Sequence, residues 1–160
     1  MTVKELEQSG LELLDAIAGL VRRAEGQPLD WRPAATLMTL GEVLHHVAES
    51  VMPVVEIAVT DEIDPRWREM EVLPSADVPT ALAVIDAHKA RLSELLAGVT
   101  EEQWRDRQVT MPWGAQGSLG CMCGAALEHG AGHRYQLFLY LKLLGQPLTT
   151  AELYNVPLPE

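Results

Sequence analysis

Apolar residues recur at intervals of three and four through four long segments of this chain, a period that suits helices packed against one another and little else. The first segment runs from about Val3 to Ala24, with Leu6, Leu11, Leu14, Ile17, Ala18 and Val21 on one face, and it ends at Gly26 and Pro28. The second runs from about Ala35 to Thr60 on Leu40, Val43, Leu44, Val47, Val51, Val54 and Val55. Pro53 lies inside it and predicts a kink or interruption, because proline lacks a backbone donor and clashes with the preceding turn. The third, Thr80 to Leu96, turns Leu82, Ile85, Leu92 and Leu96 inward. The fourth extends from about Ser118 to Leu144 and stops at Gly145, with Pro147 just beyond. Between them, the acidic, proline-bearing stretch 61–79 reads as a connection with at most one short turn of helix. A further long connection carries Trp104, Pro112, Trp113 and Gly114, and the last dozen residues read as a packed, irregular tail. The expected fold is an all-α four-helix bundle with a long crossover connection, formed by a single domain over residues 1–160.

Charge narrows the partners. The chain carries 23 Asp and Glu against 12 Lys and Arg, a formal net charge of −11, and has no basic run. A nucleic-acid binder must neutralise phosphates, so neither nucleic acid nor an anionic membrane surface is an expected partner. No apolar stretch reads as reaching the ~20 residues that cross a bilayer. Lys4, Glu5 and Glu7 open the chain as a charged amphipathic helix instead of a signal peptide, which makes a cytoplasmic protein the expectation. Cys121 and Cys123, two apart on a helix, point to different sides and read as free thiols, not as a disulfide framework.

The histidines carry the chemistry. At about 100° per residue, His129 and His133 lie within roughly 40° of the apolar stripe that also holds Leu119, Met122, Ala126, Leu137, Tyr140 and Leu144. Four apart, their rings sit one turn above the other and can share one ion, the spacing used by many two-histidine metal sites. A third ligand has to come from another helix. His45 and His46 flank the stripe of the second helix at roughly 140° and roughly 120°, so the helical wheel leaves both open. His88, one turn from Ile85 near the apolar face of the third helix, competes with them. Glu42, Glu49, Glu56 and Glu128 all fall on polar faces, and no paired-carboxylate or di-iron pattern, Ser-His-Asp set, phosphate loop or Cys-x-x-Cys spacing emerges.

Two segments resemble the DinB/YfiT-like superfamily. Thr39-Leu40-Gly41-Glu42-Val43-Leu44-His45-His46-Val47-Ala48 is similar to its second-helix signature. His129-Gly130-Ala131-Gly132-His133-Arg134-Tyr135-Gln136-Leu137, followed by Tyr140-Leu141-Lys142-Leu143-Leu144-Gly145, is similar to its H-x-x-x-H-R-x-Q-L segment. Trp31-x-Pro33 ahead of the second helix fits as well, so the resemblance spans nearly the whole chain. It implies metal ligands at His46, in preference to His45, and at His129 and His133. Many relatives place a further histidine just before the last ligand, where this chain has Gly132. The resemblance also implies a homodimer formed through helix faces.

Three imidazoles leave a coordination position open, as catalytic sites do. Imidazole suits Zn, Ni, Cu and Fe alike; with a divalent ion, zinc or nickel being expected, that position suits two chemistries on a small-molecule substrate. One is transfer of a low-molecular-weight thiol, the activity of the superfamily's bacillithiol- and mycothiol-dependent members. The other is hydrolysis by an activated water. The absence of an inward carboxylate to act as general base favours the S-transferase. A bundle that binds a metal or small ligand without turnover is the remaining expectation, and it predicts a closed coordination sphere.

Overall fold

A computed structural model describes residues 1–63 and 74–156. Helix α1 spans Val3–Arg23, opened by a reciprocal cap in which Glu5 N–H donates to the Thr2 hydroxyl and Thr2 N–H donates to the Glu5 carboxylate. Helix α2 spans Leu40–Ala48 behind the same device built from Thr39 and Glu42. Helix α3 covers Met52–Thr60 and α4 Val78–Ala97. The short helix α5, Glu101–Asp106, leads into strands β1 (Gln108–Thr110) and β2 (Gln116–Ser118). Helix α6 is the longest, Leu119–Leu143, and α7, Thr150–Tyr154, follows it.

Where the periodicity predicts one second helix from about Ala35, the structure holds two, and the first begins only at Leu40. The break at Glu49–Val51 lies upstream of Pro53, which occupies the first turn of α3, where a missing N–H costs nothing. Ser50, 3% exposed, fills the break and donates its hydroxyl to the Val47 carbonyl at 2.8 Å. Taken together, Leu40–Thr60 is 21 residues holding an 18-residue window of mean hydropathy 1.2, long and apolar enough by that measure to cross a membrane, contrary to the sequence expectation. About half of it (56%) is buried against the other helices, and the bend divides it.

The four layers of the bundle are α1, α2–α3, α4 and α6. Helix α1 packs on α4 and α6, and α2–α3 packs on the same two from the opposite side. Directions follow from side-chain neighbours. Gly10 and Leu13 of α1 meet Leu127 and Gly130 of α6, so these two helices run parallel, whereas Asp15 pairs with Lys89 and Gly10 meets Leu92, so α1 and α4 are antiparallel. Tyr140 bonds the Met38 carbonyl and His133 faces His46, so α2 opposes α6. Ala48 meets His88 and Glu56 meets Arg91, so α2–α3 and α4 are parallel. Parallel packing of consecutive long segments is the mark of the expected crossover topology. The short-turn expectation for 61–79 falls largely outside the described residues.

Four short elements escaped the periodicity: α5, the two strands and α7. Strands β1 and β2 pair antiparallel in register Gln108↔Ser118, Val109↔Gly117 and Thr110↔Gln116, too short to show alternation. Met111 N–H donates to the Ala115 carbonyl at 2.8 Å, and Gly114 adopts φ 90° in the turn. The tail, expected to be irregular, contains α7, capped by Thr149 and Glu152.

One core runs through all the long helices, with Leu6, Leu14, Ile17, Leu20, Leu44, Ile85, Leu92, Leu119 and Leu137 fully buried. Helix α6 approaches the α2–α3 bend most closely at Gly130, where an added Cβ would meet Val51 Cγ2 well inside contact distance and Leu13 Cδ2 at 3.2 Å. Val51 is short and β-branched, so it cannot swing aside. Gly124, on the same helix, has nothing within 4 Å of its hypothetical Cβ. Gly130→Ala should therefore lower the melting temperature, since overpacking costs about 1–3 kcal/mol against a helix-propensity gain of about 1 kcal/mol. Gly124→Ala should raise stability by about 0.5–1 kcal/mol. Thermal or urea unfolding of the two variants checks the pair, and equal effects would refute the assigned packing.

Candidate metal centre

Helices α2 and α6 bring three of the five histidines to one point. His46 Nε2 lies 3.0 Å from His133 Nε2, with ring centroids 4.1 Å apart. The His129 ring lies 4.4 Å from His133 and 5.8 Å from His46. One nitrogen from each ring falls within 4.8 Å of the other two. Ligands at about 2.0–2.1 Å from a tetrahedral zinc ion stand about 3.3–3.4 Å apart, so the His46–His133 pair is already close to the separation such an ion requires. His129 needs only a small approach. Among the described residues the cluster is three imidazoles with no carboxylate, a donor set that fits a divalent transition metal.

The local sequence explains the convergence. His129 and His133 stack one turn apart on α6, and Gly130 between them lets α6 settle on the α2–α3 bend. His46 sits in the last turn of α2, aligned by the antiparallel run of the two helices. His46 and His133 are half-buried, and His129 is exposed, so the cluster opens to solvent on the His129 side.

Electrostatics favour the neutral form of two of the three rings. Burial, followed by the charges of His133, His129 and His45, pushes the His46 pKa down from its ordinary 6.5 to about 4. His129, although exposed on one side, is lowered too, by partial desolvation and then by His133. Deprotonated rings with free lone pairs are what a metal needs.

Gln136, one turn beyond His133, accepts a hydrogen bond from His133 Nδ1–H at 2.8 Å through its amide oxygen. The sequence placed Gln136 in the motif without a task, and the signal that could have supplied one was its i+3 spacing from a ligand. Its neighbours go elsewhere. The Arg134 guanidinium lies 4.7 Å over the Tyr154 ring, and Tyr135 is exposed and stacks on Phe138.

The other candidates lie outside the cluster. His45 is half-buried on α2. His88 Nδ1 donates to the Ala48 carbonyl at 3.0 Å while its Nε2 lies 3.5 Å from Glu49, so it ties α4 to the C-terminal end of α2. Cys121 is exposed and Cys123 is buried, neither in a disulfide, and burial pushes the Cys123 thiol up to about 12.

Between about pH 6.5 and 4 the unfolded chain takes up a proton at position 46 that the folded, metal-free chain refuses. Stability from this group is complete above pH 6.5 and is lost as the pH falls towards 4. Chelator-treated protein should melt progressively lower over that window, and His46→Gln should shrink the decline. A decline of equal size in the variant would refute the assignment.

Comparison with known proteins comes to the same architecture. The family model described as the DinB superfamily matches residues 11–137. A DinB-like protein of Bacillus subtilis, YjoA, superposes with a TM-score of 0.70 at 18% identity, covering 90% of this chain and 94% of that one. A crystal structure from Exiguobacterium sibiricum assigned to the DinB family superposes with a TM-score of 0.68 at 21% identity, covering 92% and 94%. Among curated proteins no sequence matches. The three histidines could hold a metal ion, the fold is that of DinB-like proteins, and the chain belongs to the DinB superfamily.

Proposed function

We propose that this protein is a divalent-metal-dependent S-transferase that joins a low-molecular-weight thiol, of the bacillithiol or mycothiol kind, to a small electrophile. The observation that carries the reading is a cluster of three imidazoles, open on one side and, among the described residues, free of carboxylates. An ion held by His46, His129 and His133, zinc or nickel by donor type, supplies Lewis acidity that lowers the pKa of an arriving thiol. His46 and His133 fix the inner wall of the site, and the exposed His129 marks the side from which reactants enter. In the transfer, the sulfur bonds to an electrophilic carbon whose leaving group departs with its electron pair, and the thiol proton goes to solvent.

Hydrolysis is the alternative use of such a site, and it calls for a general base beside the ion. The two carboxylates one turn either side of His46 are engaged otherwise: Glu42 accepts from Thr39 N–H at 2.6 Å, and Glu49 faces His88. That supports thiol transfer over hydrolysis. A binding bundle without turnover would be expected to seal its ion, and the exposure of His129 counts against it.

We further propose that two copies associate through α6. Tyr135, Leu139 and Leu143 recur along its outer face at four-residue intervals and are 50%, 42% and 65% exposed, beside Gly132, which has open space around it. An apolar stripe left in water on the longest helix suits a symmetric helix-to-helix contact. Sedimentation should give a dimer that Leu139→Glu converts to a monomer. A wild-type monomer would refute the contact.

The functional reading is tested by elemental analysis of untagged protein beside the triple variant His46→Ala, His129→Ala, His133→Ala. Near-stoichiometric divalent metal should be present in the wild type and lost in the variant. Thiol conjugation to monochlorobimane should fall with it to the uncatalysed background. Equal metal in both proteins would overturn the site, and metal-dependent ester cleavage without conjugation would favour hydrolysis.

A further inference from the structure

We propose that Gln136 is the positioning residue of this centre: it selects which nitrogen of His133 faces the ion and, being uncharged, leaves the centre in need of an anionic fourth ligand. The inference rests on reading His46, His129 and His133 as the ligand set.

An amide oxygen can only accept, so the 2.8 Å contact between Gln136 Oε1 and His133 Nδ1 requires the hydrogen to reside on Nδ1. His133 Nε2 is then the bare nitrogen, and it is the one that faces His46 Nε2 at 3.0 Å, where the three ligand atoms converge. Both residues stand on α6 three positions apart, so the helix backbone sets the distance and no loop has to be ordered to keep it. Among the described residues, Gln136 is the hydrogen-bond partner at that nitrogen.

Its neutrality matters as much as its oxygen. Many metal-binding histidines donate to a carboxylate, which feeds negative charge towards the ion. Here the ligands are three imidazoles, which bring no negative charge, and the outer partner is an uncharged amide. Glu42 and Glu49, the nearest carboxylates along α2, are held by Thr39 N–H and beside His88. A divalent ion would keep most of its charge, and the ligand that best answers it is an anion from solution, a thiolate in the proposed reaction.

Three measurements separate these parts. In metal-free protein with ¹⁵N-labelled histidine, long-range ¹H–¹⁵N correlation should find His133 protonated at Nδ1, and Gln136→Leu should release that preference. Zinc affinity, read by competition with a chelating dye, should fall about 10–100-fold in Gln136→Leu. Gln136→Glu keeps an acceptor and should restore both the tautomer and the affinity. Cobalt-loaded Gln136→Glu should nevertheless bind 2-mercaptoethanol more weakly than the wild type, seen in the visible absorption bands. His133 protonated at Nε2 in the wild type, or unchanged zinc affinity in a folded Gln136→Leu, overturns the positioning role. Undiminished thiol binding by Gln136→Glu overturns the charge argument. A wild type that takes up no zinc overturns the metal reading, and the tautomer measurement still reports on Gln136 independently.

Discussion

The close seating of α6 on the bend between α2 and α3 is the contact on which the rest of this molecule depends. Gly130 makes it possible: without a side chain, α6 comes down onto Val51, Leu13 and Ser50 at the point where the second helical segment changes direction. The bend itself is held from within by the buried Ser50 hydroxyl on the Val47 carbonyl and from outside by His88 on the Ala48 carbonyl. Move α6 outward by the width of a methyl group and His129 and His133 part from His46. A packing constraint in the apolar core therefore sets a distance between polar rings at its edge, because close-packed interiors transmit displacements instead of absorbing them.

The same contact explains the electrostatics. Three imidazoles gathered at a half-buried seam cannot all be charged, and partial desolvation together with mutual repulsion drives His46 far towards neutrality. The metal-free cluster is then a set of lone pairs looking for an acceptor. In the absence of an ion, the hydrogen between His46 and His133 has to come from His46 Nε2, since Gln136 keeps the hydrogen of His133 on the other nitrogen. An ion at this place would substitute for that hydrogen between His46 and His133, with His129 still to draw closer.

Most of the architecture was legible in the chain. Helix-period stripes located the four long helices to within a few residues, apart from the break, and capping residues such as Thr39 and Asp77 mark starts that the stripe alone leaves blurred. The pair His129 and His133 was visible because a helix fixes which residues share a face. Less was legible where structure is short or local. The β1–β2 hairpin and α7 hold too few residues to display a period. Pro53 announced the interruption, which falls just ahead of it, since proline suits the first turn of a new helix as well as it breaks an old one.

Periodicity, charge and helix spacing thus settle the all-α character of the chain, its core face, and the two histidines that share one side of α6, because each is a property of residues near one another in sequence. The choice among His45, His46 and His88 is of another kind. On the helical wheel His45 and His46 were nearly equivalent; the resemblance pointed to His46, and the physical reason appears only when α2 is laid antiparallel on α6 and its end is tied down by α4. That puts His46 within 3.0 Å of His133 and gives His88 to a backbone carbonyl. Which groups meet across helices depends on the depth and angle of packing, and those are set by side-chain volumes from every layer of the bundle at once.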